Sequence, residues 1–185
     1  MTKQEAIQAL LEIVEQLPER DLFQDAAIQA AREVLEHPDQ GPGRDANAGQ
    51  PHMLCVREQA TGDSVQSPAE LARSCADIAR ADQEVMLLIG YSTRNQEIFR
   101  EIIFKGGQSM CNVDPVTILR HCLKRDADQF ALVHNHPSDS ADPSIQDRAI
   151  TKKVKAAADA VGLRLMDHVI VAENNYTSFA DKGWL

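Results

Sequence analysis

Apolar residues recur along the chain with two different periods, and the switches between them mark its elements. Ile7, Leu10, Leu11 and Val14 fall at helical spacing until Pro18. A second helical pattern from about Asp21 carries Leu22, Phe23, Ala26, Ala27, Ala30, Val34 and Leu35. Residues 1–37 therefore predict a helical hairpin with one apolar face, which needs the main domain or a partner to cover it. Residues 38–51 hold Gly, Pro, Asp, Asn and Gln with almost no large apolar side chain, and read as a linker. From 52 to 185 the pattern is that of one domain.

Within that domain Met53–Val56 predicts a short strand and Thr61-Gly62-Asp63 a turn. Ser67-Pro68 opens a helix expected to reach about Ala81, with Leu71, Cys75, Ile78 and Ala79 inward. The apolar run Val85–Ile89 reads as a central strand, Thr93–Asn95 as a turn, and Glu97–Phe104 as the returning strand, ended by Gly106-Gly107. Asp114-Pro115 caps a helix with Val116, Leu119, Cys122 and Leu123 on one side. Phe130–Val133 is a buried strand, Ile145–Val161 a helix stopped by Gly162, and Leu163–Ala172 and Tyr176–Phe179 are strands around a turn at 173–175. This mixed order predicts an α/β fold, one sheet with flanking helices.

The chemistry concentrates where the Phe130–Val133 strand ends, at His134-Asn135-His136-Pro137. Residues two apart on a strand share a face, so both imidazoles project together and Asn135 points the other way, toward packing or loop-holding. Seven residues separate His136 from Ser144, which begins Ser144-Ile145-Gln146-Asp147. Ser144-x-x-Asp147 resembles a capping box and could be helix punctuation alone. Asp142-Pro143 is expected to supply the N-cap and first helical residue, which leaves Ser144 and Asp147 for chemistry. His134, His136 and Asp147 then make three metal ligands with a fourth position open, the arrangement of a catalytic zinc.

Composition narrows the setting. A net charge of −9 is borne mostly by residues 1–51, with four Lys/Arg against ten Asp/Glu; residues 84–185 carry twelve against thirteen. That is not the basic footprint of a phosphate-dominated DNA binder, and it argues against a helix-turn-helix role for the hairpin. Cys55, Cys75, Cys111 and Cys122 form no C-x-x-C pair, no apolar run is long enough to span a membrane, and no secretory leader opens the chain. A cytoplasmic protein is expected.

The signature His134-x-His136-Pro137, seven residues, Ser144-x-x-Asp147 resembles the JAMM motif of JAB/MPN metalloproteins. The fuller pattern, from His-Asn-His-Pro-Ser to Ala149-Ile150-Thr151, Asp167-His168-Val169-Ile170 and Tyr176–Phe179, resembles the bacterial RadC-like branch from about Ser67 onward. The resemblance implies the MPN (cytidine-deaminase-like) layout, bound Zn2+, and a general base from the start of an early strand, the position of Glu84; Glu97 and Glu101 are the alternatives. It also implies that Ser144 donates to the oxyanion or orients the water. Two departures stand out: Asp139 replaces the usual Gly, and no Gly-rich helix-hairpin-helix precedes the domain. Asp tolerates the left-handed conformation better than most residues, so local adjustment is expected there. Of Asp167 and His168 only one can face the metal side, and neither is assigned as a ligand.

Three functions fit these residues. The first is a zinc hydrolase of amide or isopeptide bonds acting on a protein or peptide. The second is a DNA repair-associated protein or nuclease, for which Arg148, Lys152 and Lys155 on one helix face would guide a phosphate backbone. The third is a non-catalytic, metal-stabilised interaction module. The hydrolase is preferred, because an open ligand position and Ser144 have no purely structural use.

Overall fold

The computed structural model describes residues 62–106 and 113–185; the predicted hairpin at 1–37, the linker at 38–51, the Met53–Val56 strand and Gly107 lie outside them. Helix α1 (Pro68–Ser74) precedes β1 (Glu84–Tyr91) and β2 (Glu97–Gly106). Then come α2 (Pro115–Lys124), β3 (Gln129–Asn135), α3 (Ile145–Ala160), β4 (Arg164–Val171) and β5 (Tyr176–Ser178). The strands form one sheet in the order β2-β1-β3-β4-β5. Only β3 and β4 pair in parallel, joined through α3; the other neighbours are antiparallel. The fold is the expected α/β arrangement, a mixed sheet with helices on both faces.

Alternation decides which core each strand residue enters. Met86, Leu88, Phe130 and Leu132 pack with α2 and α3 on one face. Val85, Leu87, Ile89, Ala131 and Val133 pack with α1 and the segment after it on the other. Both central strands are buried on both sides, hence their unbroken apolar runs. Gly90 is required by close approach: a Cβ there would lie 2.0 Å from the Phe99 ring.

Helix α1 ends earlier than its apolar spacing suggested, at Ser74 rather than near Ala81. The buried Arg100 guanidinium donates to the Ser74 carbonyl at 2.8 Å and the Ser74 hydroxyl at 3.1 Å, capturing an acceptor that a continuing helix would use. Glu97 neutralises Arg100 through two bonds, at 3.0 and 2.9 Å. Tight turns then carry the chain onward, with Cys75, Ile78 and Ala81 still buried. Gly162 sits just past the end of α3 at φ +74°, as its position predicted. Among the described residues no helix is long and apolar enough to cross a membrane.

Candidate metal centre

The end of β3 supplies the first two side chains. Met86 of β1 pairs with His134, so Glu84, two residues earlier, lies on the same sheet face as His134 and His136. Asn135 points to the opposite face and is fully buried. Its side-chain oxygen accepts from Val85 N at 2.8 Å, and its amide nitrogen donates to the carbonyls of Ala81 (3.3 Å) and Gln83 (3.1 Å). Asn135 thus grips the chain on both sides of Glu84. Asn135→Ala is expected to destabilise the fold by about 1–3 kcal/mol, because buried backbone groups lose their partner. An unchanged urea midpoint would show that the clamp contributes nothing.

Past Pro137 the chain turns through Asp139, whose φ of +55° lies in the left-handed region glycine would otherwise occupy. Its carboxylate accepts from Glu173 N at 2.7 Å, tying the turn to the end of β4. The Asp in place of Gly is therefore accommodated. The loop brings the Ser140 carbonyl to His136 Nδ1 at 2.9 Å.

The start of α3 corrects one expectation. Its N-cap is Ser144, not Asp142: Ser144 Oγ accepts from Asp147 N at 3.1 Å, and Asp147 Oδ2 accepts from Ser144 N at 2.6 Å. Ser144 closes a reciprocal box with Asp147, whereas Asp142 lies two residues before the cap, its N–H donating to Ser140 Oγ at 3.1 Å. Asp147 is therefore helix punctuation and site residue at once. The Ser144 hydroxyl hydrogen is not used by this box.

Asp147 Oδ1 lies 3.3 Å from His134 Nε2, Asp147 Oδ2 lies 3.3 Å from His136 Nε2, and the two Nε2 atoms are 3.0 Å apart. With Glu84, these groups place one ligand atom each within 4.8 Å of one another, able to hold a metal ion. The donor chemistry fits a cation. His136 Nδ1 faces a carbonyl, which only accepts, so its proton sits there and Nε2 turns a lone pair inward. Asp147, 1% exposed, adds a carboxylate. A cation among acceptors gathered this closely would be stabilised by all of them.

Burial raises the Glu84 pKa, opposed by nearby His136. Burial lowers that of His134, whereas the Asp147 carboxylate raises that of His136. Burial alone would raise Asp147, but the two imidazoles beside it hold its carboxyl well below the ordinary range.

Glu97 and Glu101 do not join the site. Glu97 is committed to Arg100, and Glu101 pairs with Arg125 and His121, so His121 is a half-buried partner rather than a solvated residue. Arg148 stacks over Trp184 at 3.9 Å and Lys155 pairs with Asp159 at 2.8 Å. Asp167 turns away, binding Ser178 Oγ at 2.6 Å and the backbone N–H groups of Ala180 and His168.

His168 is the residue whose role sequence alone left unassigned. It shares the face of His134 because parallel pairing sets His134 against Ile170, two residues beyond it. His168 Nε2 lies 2.9 Å from His134 Nδ1, and its Nδ1 lies 2.6 Å from Thr151 Oγ1. Burial, then the neighbouring His134, hold the pKa of His168 well below its ordinary value. Thr151, four residues beyond Asp147, bonds the Asp147 carbonyl.

The family model of the RadC-like JAB domain matches residues 65–184. The chain belongs to the RadC-like JAB domain family. It is 36% identical over 125 residues to a UPF0758 protein of Chromobacterium violaceum, covering 67% of this chain and 56% of that protein. A UPF0758 protein of Photorhabdus laumondii is 36% identical over 104 residues, covering 56% of this chain and 45% of the relative. The chain spans about half the length of the curated relatives it matches. Family and geometry fit a metal-dependent hydrolase of the JAMM type, with a group able to hold a metal ion formed by residues of this RadC-like JAB domain.

Proposed function

We propose that the chain is a zinc-dependent amide or isopeptide hydrolase, acting on a protein or peptide. The observation that carries the reading is the convergence of His134 Nε2, His136 Nε2 and the Asp147 carboxylate, with Glu84 beside them. A zinc ion held by the two imidazoles and Asp147 would supply Lewis acidity, lowering the pKa of water toward about 7 and polarising the scissile carbonyl. Glu84 takes the proton of the attacking water and returns it to the departing amine. Its half-buried position moves its basicity in the useful direction. Ser144 keeps its hydroxyl hydrogen for the oxyanion of the tetrahedral intermediate.

A phosphodiester substrate has less support. Of the three cations on the α3 face, Arg148 is engaged by Trp184 and Lys155 by Asp159.

The deciding experiment measures zinc content and cleavage of a panel of peptide and isopeptide-linked substrates by the full chain. Expected are one zinc per chain and cleavage that stops on chelation and returns with zinc. Cleavage that continues in chelator overturns the assignment.

A further inference from the structure

The hydrogen bonds behind His134 run in one direction, and a backbone carbonyl fixes which. Thr151 Oγ1 and the Asp147 carbonyl oxygen are 2.5 Å apart, so a hydrogen lies between them. The carbonyl has none to give, and the hydroxyl therefore donates to it. Thr151 can then only accept at its other contact, which places the His168 proton on Nδ1. His168 Nε2 is left as an acceptor facing His134 Nδ1 at 2.9 Å, and the His134 proton sits on Nδ1. Its Nε2 lone pair points at Asp147 and His136.

We propose that Thr151 and His168 form a tautomer lock that holds His134 in the one neutral form able to bind a cation. The consequence for metal builds on the cation site proposed above; the lock itself does not. The competing tautomer has a ready home. With its proton on Nε2, His134 would donate to Asp147 Oδ1, 3.3 Å away, and close the cradle on itself. Because His134 is fully buried, no solvent is at hand to satisfy Nδ1 in place of His168. The His168 ring is held in its plane by Phe179, stacked at 4.9 Å and 25°, and Phe179 is braced edge-on by Trp184 at 5.4 Å. His168 is thus a positioning residue acting through His134, and Thr151 acts through His168. The feature that distinguishes this pair from ordinary core polar residues is its polarity: reversing the chain of donors would remove a ligand without moving a heavy atom.

The test reads the lock with and without metal. In the cation-free full chain, nitrogen-15 imidazole NMR should show His134 protonated at Nδ1. His168→Phe keeps the stacked ring and deletes both nitrogens; it should move the His134 proton to Nε2 and weaken zinc affinity, by competition with a chelating dye, about 10–100-fold. His168→Gln restores an acceptor near the Nε2 position and should recover the Nδ1–H form and most of the affinity. Thr151→Val should weaken zinc binding and Thr151→Ser should not. Finding His134 protonated at Nε2 in the unaltered protein overturns the lock, whatever the variants do. So does wild-type zinc affinity in both His168→Phe and Thr151→Val. Absence of zinc binding beside the expected tautomers would refute the hydrolase reading while upholding the lock.

Discussion

Glu84→Gln is expected to lower kcat about 10²–10⁴-fold, the contribution of a positioned general base, with zinc still bound. Glutamine keeps the size of the side chain and its contacts at the head of β1, so the Asn135 clamp on residues 81–85 remains. What disappears is the proton acceptor. The same assignment sets the pH dependence. Glu84 works ionised and burial raises its pKa, so kcat/KM should climb with pH through a value above that of an ordinary glutamate, and fall away as pH drops below it. An acid limb at the usual glutamate position, or a variant that retains cleavage, would show that Glu84 is not the base.

Asp147→Asn should separate binding from folding. The carboxylate charge is lost from the centre of the cradle, so zinc affinity should fall by more than the roughly 10–100-fold typical of an outer partner. The helix start need not suffer, because the asparagine oxygen can still accept from Ser144 N. Stability of the cation-free protein above the raised His136 pKa should hold or increase by about 0.5–1.5 kcal/mol, since with the oxygen kept on Ser144 N the side-chain N–H takes the Oδ1 position and faces His134 Nε2, where only acceptors met before. Calorimetry of the cation-free variant at alkaline pH decides this. A large fall in melting temperature would mean that the carboxylate is held for the fold rather than for a cation.

The parts of the site that were legible in the sequence are those fixed by local periodicity. A period of two puts His134 and His136 on one face, and an apolar run before them marks a buried strand; both follow from a few adjacent residues. The helix start was harder. Asp142-Pro143 and Ser144-x-x-Asp147 both carry capping chemistry, and only the path of the loop, pinned by Ser140 and Asp139, selects the second. The end of α1 was not readable because its terminator, Arg100, is 26 residues away on β2. His168 posed the same difficulty in a different form. Alternation assigned Asp167 and His168 to opposite faces, but which face is which depends on the register of β4 against β3, including the irregularity between Phe130 and Ala131. Its wiring to Thr151 joins two elements that no short window contains.

Asn135 carries a lesson for anyone wishing to move this chemistry elsewhere. Glu84 arrives on one strand and the imidazoles on its neighbour, and a single buried amide sets how the first strand enters against the second. A transplant limited to the signature from His134 to Asp147 would leave Glu84 behind; one that added Glu84 without Asn135 would let its approach wander. The smallest portable unit is the β1–β3 pair with residues 81–85 and the stretch from His136 to Asp147 attached, so lengthening the chain just before Glu84 should harm turnover more than an equal insertion at the exposed 173–175 turn.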